Sequence, residues 1–299
     1  MTNLILMKEF LSQLDPPAPT PDKSMDNSQR TEKFVGNEEN VKPFPLTIKK
    51  LSIVIPAYNE EKTIGYILDK IRKVILIKNI EKEVIIVNDD SKDGTEQVIE
   101  AYSANNEGLV IKYLKHHNNQ GKGAAIHTGI ANATGEFLLV QDADMEYDPA
   151  DYNILLEPIV NGFADVVYGS RFMGGCPHRI LFFWHSIGNR ILTFLCNLFS
   201  NLNLTDMETG YKVFRTDIIQ RINLEEKRFG FEPEVTIKIS HIPGIRIYEV
   251  GVSYYGRTYK EGKKIGWKDG VRTIFCILRY SLFKEPLLSH TLKPSVVKK

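Results

Sequence analysis

Short apolar runs and helical stripes succeed one another through the middle of this 299-residue chain. Residues 51–55 form an apolar run that Pro56 stops, which predicts a buried strand. Over 60–77, Ile64, Ile67, Leu68, Ile71 and Ile75 recur at helical spacing. A second strand is expected over 83–87, ending in Asn88, Asp89, Asp90 and Ser91. A helix over 95–103, a strand over 110–114, a helix opened by Gly121, Lys122 and Gly123, and strands over 137–140, 165–168 and 246–250 follow. Strand and helix alternate with short connections, so the expected class is α/β, with a largely parallel sheet covered on both faces.

The first 48 residues break this pattern. Pro16, Pro17, Pro19 and Pro21 precede a polar stretch through Asn40, too poor in apolar surface to offset its ordering entropy; residues 4–14 could form one short helix. The expected organisation is a disordered appendage over 1–48, a folded domain over 49–284 and a flexible tail over 285–299. The apolar Leu4 to Met7 has no basic stretch before it and meets Lys8 and Glu9 at once, so it does not read as a signal peptide. No apolar run reaches the roughly 18 residues of a spanning helix. A net charge of +1 gives no global reason to expect nucleic acid as a partner. Cys176, Cys196 and Cys276 are odd in number and far apart, which suits neither a metal site nor a disulfide framework and fits a reducing compartment.

Chemistry gathers where the strands end. The run from Phe137 to Val140 leads into Asp142 and Asp144, with Glu146 two residues on. Alternate residues of an extended chain point the same way, so the three carboxylates can converge beyond the strand. An oxygen-only set suits a hard divalent cation, Mg2+ or Mn2+, which commonly bridges to a substrate diphosphate; the plainer reading is a solvated acidic turn. Pro56, Tyr58 and Glu60 follow the first strand, and Asp89 follows the second. Tyr58 offers a flat face to a base, and Glu60 or Asp89 can accept bonds from base N–H groups or ribose hydroxyls. Gly121 and Gly123 permit close approach of an anion at a helix N-terminus, with Lys122 adding charge. In a parallel sheet these ends share one edge and face one cleft.

Ile53 to Glu60, Val87 to Gly94, Gly121 to Gly123 and Asp142 to Asp144 together resemble the serial motifs of family 2 glycosyltransferases, over about residues 51–283. The resemblance implies the GT-A fold, a Rossmann-like mostly parallel sheet with amphipathic helices toward the C-terminus. It also implies a nucleotide-sugar donor, a divalent metal on Asp142, Asp144 and Glu146, and inversion at the anomeric carbon. On it, Pro56, Tyr58, Glu60, Asp89, Lys122 and Asp142 are the expected nucleotide-sugar contacts. Asn88 departs from the family pattern, which has an aspartate there; Asp89 keeps the second one.

Later segments are similar to those of polyprenyl-phosphate and dolichyl-phosphate sugar transferases of that family, the dolichyl-phosphate mannose synthases among them. They are Gly169 to Arg171, Asp206 to Arg215, Phe229 to Glu234 and Tyr254 to Lys264. This implies a lipid phosphate acceptor held by Arg171 and Arg257, with Lys263 beside them. Related mannosyltransferases carry a further arginine where this chain has Ile187, and Arg190 replaces it from the next turn. Asp142, Asp144 and Asp206 are the expected catalytic carboxylates, Asp206 standing where many relatives place an acid–base group.

Two late helices fit a membrane surface. Over 180–199, Trp184, Ile187, Ile191, Leu195 and Leu198 form an apolar stripe, and His185, Asn189, Thr193 and Asn197 a polar one. Over 267–283, Trp267, Val271, Ile274, Leu278 and Leu282 share a face opposite Lys268, Arg272 and Arg279. Such helices lie in a membrane interface or pack on a sheet. The reading is an inverting hexosyltransferase using GDP-mannose or UDP-glucose type donors, cytoplasmic and peripheral at the cytoplasmic membrane face. A transferase to a non-lipid hydroxyl would need Asp206 or Glu208 as base, and a non-enzymatic nucleotide-sugar sensor would lack the metal carboxylates. A processive polysaccharide synthase would carry spanning helices and a Q-x-x-R-W motif.

Overall fold

The apolar runs at the centre of the sheet bury both faces, whereas residues 110–115 and 247–251 at its edges are only partly buried. The structure, a computed structural model, describes residues 48–105, 108–180, 182–257 and 266–282. Its strands are β1 (Lys50–Ala57), β2 (Glu81–Asn88), β3 (Val110–Lys115), β4 (Phe137–Val140), β5 (Val166–Ser170), β6 (Lys212–Arg215) and β7 (Ile247–Gly251). Its helices are α1 (Ile64–Lys73), α2 (Thr95–Asn105), α3 (Lys122–Asn132), α4 (Tyr152–Val160), α5 (Phe183–Ser200), α6 (Thr216–Ile219), α7 (Phe231–Ser240) and α8 (Trp267–Leu282). The strands make a seven-stranded sheet in the order β3-β2-β1-β4-β6-β5-β7. Neighbours are parallel except that β6 runs against both β4 and β5.

Strand residues divide with period two between two cores. Ile53, Ile55, Val84, Ile86 and Leu139 join Ile64, Ile67, Leu68 and Ile71 of α1 on one face. Val54, Ile85, Val87, Leu138 and Val140 join Ala125 and Ile126 of α3 and Val235 and Ile237 of α7 on the other. Full burial of each such side chain contributes about 1.5–3 kcal/mol. Parallel register sets Ala57 beside Asn88 and Val54 beside Val140, so the loops after β1, β2 and β4 leave the sheet at one edge.

Ile48, the last residue of the expected appendage, is buried in the first core. The rest of that appendage and the tail over 285–299 lie outside the described residues. α1 ends at Lys73, short of the expected 77, and Ile75 is exposed. The ammonium of Lys82 explains the stop: its Nζ donates to the carbonyls of Ile71, Arg72 and Val74 at 2.6, 2.9 and 2.7 Å, satisfying the orphan acceptors of a helix C-terminus. β6 carries only four residues between Lys212 and Arg215, too few to show a period. α7 is buried from Phe231 through Ile239, so it has no polar stripe for a helical period to reveal.

His127 of α3 faces Phe231 at 6.1 Å between ring centroids, and its Nε2 is buried with no hydrogen-bond partner among the described residues. Burial, then Lys238 and Lys227, pushes its pKa down to about 4. The folded state therefore refuses a proton that the unfolded state takes near pH 6.5, and stability falls as pH drops from about 6.5 toward 4. His127→Leu removes up to about 1.4 kcal/mol per pH unit of that slope. Urea unfolding of both proteins at pH 4.5, 5.5 and 7 measures it; equal slopes would place the titration elsewhere.

Candidate active site

The loops after β1, β2, β4 and β5 surround a cavity of about 780 Å³. Pro56, Tyr58, Glu60, Asp89, Lys122 and Asp142 all line it, and so do Asp144, Glu146, Arg171 and Arg257. Asp206 and Arg190 are not among its lining residues. Lys263 lies outside the described residues.

Among the described residues, no group of three or more His, Cys, Asp or Glu side chains is placed to hold a metal ion. Asp142, Asp144 and Glu146 do not converge as the sequence led one to expect, because side-chain cations separate them. Arg257 Nη2 binds Asp144 Oδ2. Its Nε lies 3.5 Å from Glu146 Oε1 and its Nη1 3.8 Å from Glu60 Oε2. Its backbone N–H donates to Glu146 Oε1 at 2.8 Å, and the Tyr254 hydroxyl donates to Oε2 at 3.0 Å. Glu146 thus has both oxygens engaged by the protein. Lys122 Nζ stands 2.8 Å from Asp142 Oδ1. Burial, then Asp142 and Glu146, pushes Asp144 up to about 7 despite Arg257. Asp142 and Asp144 remain hard oxygen donors on one edge, and with diphosphate oxygens they make a donor set that fits Mg2+ or Mn2+. Arg257 holds the cationic position beside Asp144 in this structure.

The nucleotide side differs from expectation in two ways. Asp89 is tied up by the loop between β3 and α3: Oδ1 lies 2.7 Å from His116 Nδ1 and accepts from Gln120 N at 2.9 Å, while Oδ2 accepts from Gly121 N at 2.7 Å. Asp89 shapes the cavity wall through these bonds. Asn88 does similar work, accepting from Ser91 N and donating to the Tyr113 hydroxyl, each at 2.9 Å. Gly121 and Gly123 admit the chain's own backbone where an anion was expected. A Cβ on Gly123 would stand 2.2 Å from Glu226 O, and one on Gly121 2.5 Å from Lys227 O. Ala124 N donates to Lys227 O at 2.9 Å, so residues 226–228 cover the start of α3 and Lys122 reaches the cavity by its side chain.

On the far wall, Arg171 and Asp206 form a two-pronged pair. Arg171 Nε and Nη2 meet Asp206 Oδ2 and Oδ1 at 2.6 and 2.7 Å, and the Arg171 backbone N–H adds a third bond at 3.0 Å. Asn189 Nδ2 donates to Asp206 Oδ1 at 3.2 Å. Burial alone would raise Asp206, but Arg171 outweighs it and holds the carboxyl below its ordinary range. Asp206 is fully buried behind Arg171, so it anchors that arginine and does not face the cavity as the expected acid–base group. Arg190 is exposed on α5, while its neighbour Asn189 points inward.

The polarity of α5 is inside out. Its polar stripe meets the protein: Thr193 Oγ1 accepts from Met207 N at 3.2 Å, and Asn197 bonds the backbone of Leu204 in both directions. Of its apolar stripe Trp184 is 78% exposed and Ile191 and Leu198 are exposed too, with Phe194 beside them, while Leu195 packs on the second core. α8 packs beside it and likewise exposes Val271, Ile274, Phe275, Leu278 and Leu282. The side chains of Trp267 and Lys268 lie outside the described residues. Arg272 and Arg279, expected on an outer basic face, pair with Glu226 and Glu225, each at 2.6 Å.

Glu232 is a lining residue that sequence reasoning passed over; its signal was an acid in the first turn of a helix beginning at a motif segment. Glu208, considered only as a base for a hydroxyl acceptor, lines the cavity too, pushed up to about 7 by burial and by Glu232.

The mostly parallel sheet, the carboxylate edge after β4 and the cavity across the strand ends define a GT-A glycosyltransferase. The chain belongs to glycosyl transferase family 2, whose model matches residues 52–222. A dolichyl-phosphate beta-glucosyltransferase of Trichomonas vaginalis is 31% identical over 235 residues, 73% of this chain and 70% of that protein. A dolichol-phosphate mannosyltransferase of Pyrococcus furiosus is 26% identical over 253 residues, 83% of this chain and 68% of that one. A dodecaprenyl-phosphate galacturonate synthase of Rhizobium johnstonii is 25% identical over 239 residues, 80% and 68% of the two chains. Among solved structures, glucosyl-3-phosphoglycerate synthase from Mycobacterium tuberculosis, in complex with Mn2+, uridine diphosphate and glucosyl-3-phosphoglycerate, superposes with a TM-score of 0.61 at 19% identity, covering 79% of this chain and 81% of that one. At that identity the likeness is one of fold.

Asp206→Asn leaves the buried Arg171 charge without its counter-ion, which costs about 3–5 kcal/mol of stability. Adding Arg171→Gln removes the uncompensated charge, so the double variant is more stable than Asp206→Asn alone. Chemical unfolding of the four proteins of this cycle checks it; additive losses would show that the two side chains are not coupled.

Proposed function

We propose that this glycosyltransferase moves a sugar from a nucleotide sugar, of the GDP-mannose or UDP-glucose type, to a polyprenyl or dolichyl phosphate at a membrane surface, with inversion at the anomeric carbon. One observation carries the reading: α5 contributes Trp184, His185, Asn189 and Leu192 to the cavity and turns most of its apolar stripe outward from the same helix. A lipid phosphate can enter between the arginines while its chain stays among apolar groups. The dolichyl- and polyprenyl-phosphate enzymes among the relatives support the same acceptor class.

In this reading the diphosphate lies on the edge after β4. Asp142 and Asp144 would hold Mg2+ or Mn2+, which when bound offsets the charge that builds on the leaving diphosphate. Lys122 adds positive charge at that edge. Pro56 and Tyr58 flank the nucleoside. With Asp144 engaged there, Arg257 turns from it toward the acceptor phosphate, opposite Arg171, which Asp206 and Asn189 hold in place. The acceptor phosphate is anionic near neutral pH, so its oxygen attacks the anomeric carbon without a protein base as the nucleoside diphosphate leaves. A hydroxyl acceptor would need a base, and the ion pair with Arg171 disfavours Asp206 for that work. Arg190, exposed beside the apolar stripe, suits an anionic lipid head group. No helix among the described residues is long and apolar enough to cross a membrane; from the exposed apolar residues of α5 and α8 we infer peripheral attachment, which we assign to the cytoplasmic face.

Asp144→Asn is expected to lower turnover on the order of 10²–10³-fold, the usual loss when one group that stabilises developing charge is removed. Assay of the purified protein with UDP-glucose or GDP-mannose and a short polyprenyl phosphate, with and without EDTA, tests this. Full activity in EDTA, or equal turnover without lipid, argues against the assignment. Phe182 and Phe183 are 58% and 67% exposed. Changing both to serine should weaken binding to liposomes at least about tenfold. Flotation decides it, and wild type that stays at the bottom at every salt concentration would sink the membrane half of the reading.

A further inference from the structure

Beyond Lys122 the cavity holds two acids that neither the metal edge nor the acceptor arginines use. Glu232 opens the first turn of α7, and Glu208 follows Asp206 on the segment leading to β6; both line the cavity. Glu232 has a side chain only 7% exposed, and its Oε1 lies 3.4 Å from Lys122 Nζ. Its Oε2 is buried with no hydrogen-bond partner among the described residues, and so is Glu208 Oε1. A buried acceptor left unpaired is costly, and two in one cavity call for a ligand rich in donors. An ionised carboxylate only accepts, so a ligand that satisfies these oxygens in that form brings O–H or N–H.

Lys122 ties this pair to the transfer site. The same Nζ stands 2.8 Å from Asp142 Oδ1, on the edge where the donor diphosphate is placed. Pro56 and Tyr58, the nucleoside side of the reading above, line the same cavity, and Glu232 lies one side chain, Lys122, from the diphosphate edge, where the sugar of a donor begins. We propose that Glu232 and Glu208 form the subsite for the transferred sugar, accepting hydrogen bonds from the hydroxyls of a neutral pyranose and repelling a sugar that carries its own carboxylate. This rests on the nucleotide-sugar reading above. The relatives' names include both neutral sugars and galacturonate, so the choice falls to the residues of this chain. Here Lys122 is already shared between Glu232 and Asp142, and Lys212, the other lysine that acts on both acids, donates to Thr209 O, so a uronate would add a third carboxylate to a pair that already repel each other.

Titration calorimetry of the full chain with Mn2+ tests this directly. UDP and GDP establish which base binds; the matching hexose donor (UDP-glucose or GDP-mannose) and uronate donor (UDP-glucuronate or GDP-mannuronate) follow. The native protein is expected to bind the hexose donor more tightly than the uronate. Glu232→Gln should weaken the hexose donor about ten- to a hundredfold, leave the bare nucleoside diphosphate unchanged, and narrow the gap to the uronate. Glu208→Gln serves as the second variant, with unchanged nucleoside diphosphate binding as its control for folding. A variant that weakens nucleotide and nucleotide sugar alike, or neither, overturns the subsite while leaving the transferase reading in place. Failure of both UDP and GDP to bind the native protein overturns that reading and the subsite with it.

Discussion

Mutual repulsion of carboxylates at one edge of the sheet is the constraint on which the site depends. Asp142, Asp144 and Glu146 leave β4 within five positions, with Glu60 across from them. Charges this close in a partly buried place need positive partners, and the fold supplies Arg257 from the loop after β7 and Lys122 from the start of α3. Lys122 comes from the helix just before β4, whereas Arg257 comes from 113 positions beyond Asp144, so the edge is complete only once the chain after β7 is in place. The arrangement keeps an anionic surface intact within the protein and makes it answerable to any stronger cation that arrives.

The same logic of paired burial sets the opposite wall. Arg171 would be costly to bury alone; Asp206 meets it with both oxygens, and Asn189 of α5 adds a bond to the pair. That network draws the polar stripe of α5 inward. With Thr193 and Asn197 also committed to the protein, most of the apolar stripe is left to face outward. An exposed apolar helix is normally a liability, and here it follows from where the helix must place its polar groups.

Glycine placement carries a related lesson. Gly121 and Gly123 are needed because the backbone of residues 226–228 crosses the start of α3 at a distance no Cβ would allow. The crossing brings Glu226, with its partners Arg272 and Tyr280 of α8, into register with α3. The nucleotide-side loop and the outward-facing helix α8 are thereby built on one support.

The sequence by itself determined the alternation of strand and helix from β1 to β4 and the strands β5 and β7, because period-two burial in strands and period-3.6 burial in α1 leave a local signature; α4 and α6 were not read from it. It also determined which loops come together: Pro56, Tyr58, Glu60, Asp89, Lys122, Asp142, Asp144, Glu146, Arg171 and Arg257 do line one cavity, since parallel strands bring their ends to a common edge. Tertiary structure alone decided who partners whom. The reversed strand β6 and the wholly buried α7 left no period to read. Asp89 and Asp206 kept their places but turned to His116 and Arg171, and Arg257 turned to Asp144, because a buried polar group takes whichever complementary partner the fold brings nearest. That choice depends on distances across the sheet, through residues more than a hundred positions apart for Asp144 and Arg257, and no local pattern encodes it.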